Sequence, residues 1–315
     1  MSTRMRAISQ QAFGGPEVLE VVETDRPVPG PQDVLVRVRA AGVNPADWKR
    51  RAGIVGRFGE PPFTLGLDLA GTVEAVGDRV ERFRLGDQVY GAVLSPSGTY
   101  AEYAVAPEQA LAPAPPSLDL VHAAALPTAA LTAWQPLVRV AGVRAGQRVL
   151  VHAAAGGVGH LAVQIAKARG AYVIGTARRD KHAFLRELGA DELIDYTATD
   201  FTTAVRDVDV VLDPISGEYG PRSLRVLTPD GVLLDVRGTG PDRAETRDLA
   251  RARGLRHVEF GFTPSGDDLR EVTDLVEGGA LRVVVDQVLP LEAAAKAHEL
   301  SETGRVKGKI VLTVG

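Results

Sequence analysis

The sequence predicts an α/β protein with two domains, one rich in β-strands and one built on a parallel sheet. Residues 1–122 read as short strands and turns, without helical patterns between them. From residue 123 to 266, strand and helix patterns alternate as they do in parallel βαβ units with right-handed crossovers. The tail, 267–315, ends in strand-like sequence. We therefore expect residues 1–122 and 267–315 to form one domain and residues 123–266 the other.

The first domain shows the alternation of half-buried strands. Residues 34–40 alternate apolar and polar side chains, and a proline-rich turn over 27–31 precedes them. A second strand is expected over 68–77, with glycines where the chain bends, and a turn followed by a strand over 83–91. Because no βαβ alternation occurs in this block, a compact barrel-like domain is predicted.

The second domain and the tail are predicted from apolar strands that alternate with helical patterns. In the second domain, helices are expected at 123–137, 161–168 and 181–188, and strands at 149–151, 171–176, 192–195, 208–212 and 231–235. In the tail, helices are expected at 269–276 and 291–300, and strands at 283–285 and 309–314.

A glycine-rich stretch follows the first strand of the second domain. Gly156, Gly157 and Gly159 stand between the apolar run 149–151 and the helical pattern 161–168. Strand, glycine turn and helix together present a helix N-terminus to a pyrophosphate, and glycine lets the ligand approach the backbone. The glycine spacing is looser than in the usual dinucleotide motif, so a tight turn in an ordinary βα unit is the alternative.

The residues after the second strand indicate which dinucleotide this site prefers. A carboxylate at this position accepts hydrogen bonds from the ribose 2′-hydroxyl of NAD. Here Arg178 and Arg179 follow the strand, and the first acid is Asp180. Two guanidiniums suit a 2′-phosphate, so NADPH is the expected cofactor. Arginine pairs are also common on this chain, because only six of its 36 basic residues are lysines.

Composition excludes several classes of protein. The chain has no cysteine, which removes disulfides, thiolate nucleophiles and cysteine zinc sites. A net charge of −4 without a long basic run argues against nucleic acid as a partner. No apolar run suits a membrane helix or signal peptide, so we expect a cytoplasmic protein without a membrane partner. No Gly-x-Ser-x-Gly elbow supports a serine hydrolase.

Several motifs in one order resemble the zinc-independent quinone oxidoreductase branch of the medium-chain dehydrogenase/reductase family. They span nearly the whole chain: GVNPADWK at 42–49, LGLDLAG at 65–71, LPTAALTAW at 126–134, the glycine turn, LGAD at 188–191 and GKIVL at 308–312. The resemblance implies a GroES-like β-rich domain and a doubly wound Rossmann domain, with the active site in the cleft between them. It also implies reduction of quinones or α,β-unsaturated carbonyls with NADPH, by a homodimer.

The resemblance also assigns roles to individual residues. The Asn44 to Lys49 segment looks most like alkenal and enone reductases, while other quinone reductases have a tyrosine where Lys49 stands. Asn44 and Lys49 are the expected catalytic residues, which would line the cleft near the nicotinamide and the substrate. The expected cofactor contacts are Gly156, Gly157 and Val158 on the pyrophosphate, Arg178, Arg179, Lys181 and Tyr196 around the 2′-phosphate, and Thr132, Phe260 and Phe262 near the nicotinamide. Tyr196 as an ordinary strand-end residue and Phe260 as a core residue are the alternatives.

Two alternative functions share this fold. A zinc alcohol dehydrogenase needs metal ligands, but the six histidines (122, 152, 160, 182, 257 and 298) are scattered and none is paired at ligand spacing. His152 and His160, which flank the glycine turn, are better explained by packing. A non-catalytic NADPH-binding redox sensor or interaction protein is the second alternative, because a fold does not guarantee catalysis.

Overall fold

The computed structural model describes residues 4–54, 59–95, 97–236 and 243–315, and the chain divides into two compact units. The first unit comprises Met1–Leu131, Thr263–Gly279 and Val283–Gly315, and the second comprises Thr132–Phe262 and Ala280–Arg282. Residues 123–131, which the sequence assigned to the second domain, group with the first unit.

The strands of the described residues are short. They are β1 (Arg4–Gln10), β2 (Glu20–Asp25), β3 (Asp33–Val43), β4 (Phe63–Thr64), β5 (Asp68–Val76), β6 (Gln88–Ala92), β7 (Tyr103–Pro107), β8 (Leu111–Pro113), β9 (Arg148–Val151), β10 (Tyr172–Thr176), β11 (Glu192–Ile194), β12 (Val208–Asp213), β13 (Leu227–Asp235), β14 (Arg256–Glu259), β15 (Val285–Pro290) and β16 (Lys309–Thr313).

The α-helices are short as well. They are α1 (Pro45–Arg51), α2 (Leu120–Ala124), α3 (Pro127–Trp134), α4 (Gly159–Ala168), α5 (His182–Glu187), α6 (Phe201–Ala204), α7 (Tyr219–Ser223), α8 (Ala244–Ala252), α9 (Gly266–Glu277) and α10 (Ala294–Glu302). A π-helical segment, Gln135–Val140, follows α3. Within the described ranges, no helix has the length and apolar character to cross a membrane.

The first unit is built on two largely antiparallel sheets. One contains β15-β16-β3-β5-β6-β8 in this order, with β7 also paired to β3, and the other contains β2-β1-β4. Apolar side chains from these strands, among them Val36, Leu69 and Leu312, form its core. Strand β16 of the tail pairs antiparallel with β3, Ile310 opposite Val43.

The second unit has one parallel sheet of six strands in the order β11-β10-β9-β12-β13-β14. This is the doubly wound order, in which the chain starts in the middle and builds outward in both directions. Leu150, Ile174, Val211 and Leu233 are among the buried residues of its core. The predicted fold class, a β-rich GroES-like domain with a Rossmann domain, is confirmed.

One strand differs in position from its prediction. The apolar run at 283–285 predicted a strand there, but β15 begins only at Val285 and continues to Pro290. Most of its side chains are exposed, and Val288 is 51% exposed. Strand β15 lies at the sheet edge and is held by backbone pairing with β16. Its side chains therefore carry little of the apolar pattern on which the prediction depended.

Candidate functional site

The glycine-rich turn connects β9 to α4 in the second unit. Ala153 takes a positive φ of 47°, and the Gly156 amide donates to the Ala153 carbonyl at 2.9 Å. Gly156, Gly157 and Val158 are partly exposed. Within the described residues, no hydrogen-bond acceptor is found for the Gly157 or Val158 amide. These amides and the first turn of α4 can therefore bind an anion, because the helix dipole adds positive potential there.

The third glycine of the turn has a different role. A Cβ on Gly159 would lie 2.3 Å from the Ala153 carbonyl oxygen and 2.7 Å from the Ala154 Cα. Both contacts are with backbone, which cannot rotate away. Gly159 is buried and is the first residue of α4. Glycine is needed here because the start of the helix packs directly against the turn.

The predicted 2′-phosphate residues meet at one edge of the parallel sheet. Strands β9, β10 and β11 are neighbours and parallel, so their carboxyl ends lie at the same edge. Arg178 follows β10 and Tyr196 follows β11. The Arg178 Nε donates to the Tyr196 hydroxyl at 3.2 Å, and Tyr196 is 42% exposed. The structure thus brings these two predicted residues together at the surface.

Two further cations stand in the turn after β10. Arg179 is exposed, and Lys181 Nζ lies 3.7 Å from the Asp180 carboxylate, which is itself largely exposed. Asp195, just before Tyr196, accepts hydrogen bonds from the hydroxyl and amide of Thr197. These bonds lower the pKa of Asp195. The edge therefore carries both signs of charge, with the guanidiniums at the positions where the sequence predicts the phosphate.

His152 and His160 are structural, as the sequence indicated. His152 is fully buried, with its ring nitrogens bonded to the hydroxyls of Thr176 (3.2 Å) and Ser223 (3.0 Å). Burial lowers the pKa of His152 to about 3, so its ring is neutral. The His160 Nδ1 lies 2.9 Å from the Gly156 carbonyl oxygen and joins the start of α4 to the turn.

The remaining predicted cofactor residues of the second unit are Thr132, Phe260 and Phe262. Thr132 lies on α3 and is 8% exposed. Phe260 and Phe262 follow β14 in irregular backbone, and the Phe260 amide donates to the Asp235 carbonyl at 2.8 Å. Both rings are half-buried. Phe260 is therefore not a fully buried core residue.

In the first unit, Asn44 lies between β3 and α1 and is 4% exposed. Its Nδ2 donates to Asp68 Oδ2 at 2.9 Å, and its Oδ1 accepts from Lys309 Nζ at 2.5 Å. Lys309 is 3% exposed and also donates to the Val43 carbonyl at 3.1 Å. The side-chain amide of Asn44 is thus hydrogen-bonded to both members of a buried ion pair, in which Lys309 Nζ lies 3.5 Å from Asp68.

Asp47 extends this buried network into α1. Its carboxylate accepts hydrogen bonds from the backbone amide of Asn44 at 2.8 Å and from the Tyr100 hydroxyl at 3.0 Å. Burial raises the pKa of Asp47 to about 7, and burial beside Asp47 raises the pKa of Tyr100 well above its usual value. The Asp47 bond to Asn44 is one half of a capping box, so it determines where α1 begins.

Lys49 lies on α1, the helix whose first residue is fixed by this network. Its side chain is partly exposed, and its Nζ lies 5.7 Å from the centre of the Trp48 ring. The sequence analysis assigned no role to the buried charged residues of this network, Asp47, Asp68 and Lys309. Lys309 could have been recognised from the sequence, because it is a single charge at the start of the apolar strand β16 in a chain with only six lysines.

Cysteine and histidine groups that could act as zinc ligands are few. The chain has no cysteine, and within the described ranges no three His, Asp or Glu side chains are placed to hold a metal ion together.

Comparison with known proteins adds independent evidence. Residues 30–116 match the alcohol dehydrogenase GroES-like domain family, and residues 188–312 match the zinc-binding dehydrogenase family. The chain is 35% identical to a quinone oxidoreductase of Lama guanicoe, over 98% of this chain and 97% of that one. The structure of a quinone oxidoreductase from Coxiella burnetii is similar, with a TM-score of 0.90, 37% identity and coverage of 99% and 100%. An NAD-dependent alcohol dehydrogenase has the same TM-score, 0.90, with 39% identity and the same coverage, 99% and 100%.

Proposed function

The chain belongs to the quinone oxidoreductase branch of the medium-chain dehydrogenase/reductase family, and from this premise we propose that it is an NADPH-dependent, zinc-independent reductase of quinones and α,β-unsaturated carbonyls. The observation that carries the proposal is the sheet edge where the glycine turn, Arg178 and Tyr196 lie at the ends of adjacent strands. Its family uses a nicotinamide cofactor. The homodimer and the cytoplasmic location stay predictions.

The residues at this edge fit a dinucleotide. The Gly157 and Val158 amides, which have no acceptor within the described residues, would hold the pyrophosphate at the start of α4 with the Gly156 backbone beside them. Arg178, Arg179, Lys181 and Tyr196 would surround the 2′-phosphate. Thr132, Phe260 and Phe262 would contact the nicotinamide.

The preference for NADPH rests on the charge after β10. Arg178 and Arg179 stand at the position where NAD-binding proteins have a carboxylate. Such a carboxylate would bind the ribose of NAD and would repel the 2′-phosphate of NADPH. The hydrogen bond to Tyr196 holds the Arg178 side chain, so less side-chain entropy is lost when an anion binds. One similar structure is that of an NAD-dependent alcohol dehydrogenase, so the preference has to be measured with both cofactors.

The chemistry requires a cation more than an acid or base. When bound, the reduced nicotinamide supplies the hydride. Hydride addition to a conjugated carbonyl places negative charge on its oxygen, and a nearby ammonium lowers that barrier. The resulting anion then takes its proton from water. We assign the role of the ammonium to Lys49, which would do electrostatically what zinc does in an alcohol dehydrogenase. Asn44 acts as a positioning residue, because its amide is engaged by Asp68 and Lys309 and its backbone helps to begin α1.

The proposal is tested by NADPH oxidation with a panel of quinones, enones and enals. We expect turnover with at least one class. Lys49→Ala should lower kcat on enones by about 100- to 1,000-fold, which is typical of the loss of one oxyanion-stabilising group. Lys296→Ala, at an exposed position on α10, serves as the matched control. Binding of NADPH to the wild-type protein without turnover of any substrate would favour the non-catalytic alternative. Unchanged kinetics of Lys49→Ala would remove Lys49 from the site.

Arg178→Gln should change the cofactor preference. Removing a guanidinium from a phosphate costs about 1.5–3 kcal/mol, so KM for NADPH should rise about 10- to 150-fold while KM for NADH stays nearly constant. Steady-state kinetics with both cofactors measure this ratio. Arg225→Gln, an exposed arginine of the same unit, controls for the change in net charge. If both KM values rose equally, Arg178 would not bind the 2′-phosphate.

A further inference from the structure

A cavity of about 600 Å³ lies within the first unit and is lined by four arginines, Arg4, Arg26, Arg37 and Arg39. None of them belongs to the residues proposed to bind the nicotinamide cofactor or the substrate. The volume is in the range of small-molecule sites. On a chain with a net charge of −4, this concentration of positive charge in one concavity needs an explanation.

Two of the four arginines have no acidic partner. Arg37 and Arg39 lie on β3, and both are exposed and line the cavity. The register of β3 with β5 shifts between Val38 and Ala40, so their common side is shown by the cavity lining and not by strand alternation. Within the described residues, the Arg37 guanidinium makes no ion pair or hydrogen bond, and Arg39 donates only to the Val314 carbonyl, at 3.1 Å. Their like charges repel each other unless a counter-charge is present.

The other two arginines are held in place by neighbouring side chains. Arg26 is paired with Glu74 at 3.3 Å and lies 3.6 Å from the centre of the Tyr103 ring. Its Nε is buried and has no acceptor within the described residues. Arg4 is bonded to Asp25 at 2.9 Å. Glu102, the acidic side chain in the wall, is paired with Arg6 at 2.9 Å and so does not neutralise Arg37 or Arg39.

We propose that this cavity binds the phosphate groups of a phosphorylated small molecule. Guanidiniums match phosphate oxygens in bidentate geometry, and clustered arginines suit two linked phosphates better than one carboxylate. Arg37 and Arg39 would form the main contacts, because neither is paired with an acidic side chain within the described residues. Arg26, paired with Glu74 and fixed over Tyr103, would add positive charge at the wall. The site would be separate from the cofactor site, so its occupant would bind together with NADPH.

Calorimetric titration with inorganic pyrophosphate, and with ATP as a nucleotide source of the same group, tests this proposal with and without saturating NADPH. We expect binding in both conditions. The double variant Arg37→Gln/Arg39→Gln should weaken pyrophosphate at least about tenfold, since it removes two charge-assisted contacts. The matched control is Arg206→Gln/Arg225→Gln, which removes two exposed arginines of the second unit.

Four results would overturn the proposal: no binding of either probe, an equal loss in both double variants, loss of binding when NADPH is present, and equally tight binding of citrate. A preference for ATP over pyrophosphate, or the reverse, would identify the source of the phosphate. If the glutamine variant does not fold, Arg37→Lys/Arg39→Lys keeps the charge but removes the planar fork. It should still weaken pyrophosphate by about threefold or more, and unchanged affinity would count against the site.

Discussion

Replacing Lys309 by Met is expected to lower the free energy of unfolding by about 3–5 kcal/mol, the cost of removing one partner from a buried ion pair. The change leaves Asp68, which is fully buried, without its cation. It also leaves Asn44 Oδ1 and the Val43 carbonyl without their common donor. Urea denaturation of the purified protein, followed by circular dichroism, measures the loss.

Two further variants show whether the buried charge is the cause. Lys296→Met removes an exposed lysine, paired with Glu299 on α10, and should cost less than about 1 kcal/mol. Adding Asp68→Asn to Lys309→Met should recover part of the stability, because the carboxylate that Lys309 contacts is then replaced by a neutral amide. If the double variant were as unstable as the sum of both single ones, the ion pair would not explain the effect.

The stability lost in Lys309→Met should also depend on pH, and the protonation of Asp47 sets the direction of that dependence. Burial raises the pKa of Asp47 to about 7, above the unfolded value; the charge of Asp68 also raises it, and Lys309 lowers it. As pH falls through 7, Asp47 takes up a proton in the folded state and loses its attraction to Lys309, the contribution that Lys309→Met lacks. The deficit of Lys309→Met should therefore be largest above pH 7 and shrink towards pH 5. A constant deficit across this range would separate Asp47 from Lys309.

Gly159→Ala is expected to destabilise the second unit by about 1–3 kcal/mol, as overpacking does. Alanine is the better helix former by about 1 kcal/mol, but the added Cβ would lie 2.3 Å from backbone that cannot rotate away. The steric cost should exceed the gain. Because the turn has to shift, NADPH affinity should fall at least about tenfold, since displacements near 1 Å cost up to about 100-fold. Thermal unfolding and fluorescence titration with NADPH measure the two effects.

Gly261→Ala is the matched control for stability. Gly261 is exposed, and no atom of the described residues lies within 4 Å of an added Cβ. The free energy of unfolding should change by about 0.5 kcal/mol or less. A Gly159→Ala protein as stable as wild type, with unchanged NADPH affinity, would show that the turn tolerates the methyl group and that the close approach has no functional role.

Local patterns were sufficient to predict most of the sheet that carries the candidate site. Strands β9, β10 and β12 are buried on both faces, so each reads as an apolar run, and the glycines between β9 and α4 mark the turn. Strand β15 was misplaced because its side chains are mainly exposed and its position depends on pairing with β16. The helical limits of α4 were predicted within two residues, since helix periodicity is local.

The sequence by itself determined the two-domain α/β fold, the glycine turn and the arginines after β10, because each depends on residues close together in the chain. The tertiary structure decided which side chains meet. The bond from Lys309 to Asn44 joins residues 265 positions apart, and it forms only because β16 pairs with β3. Arg178 reaches Tyr196 for the same kind of reason, because β10 and β11 are parallel neighbours. Strand pairing between distant segments, which no local pattern encodes, placed these groups together.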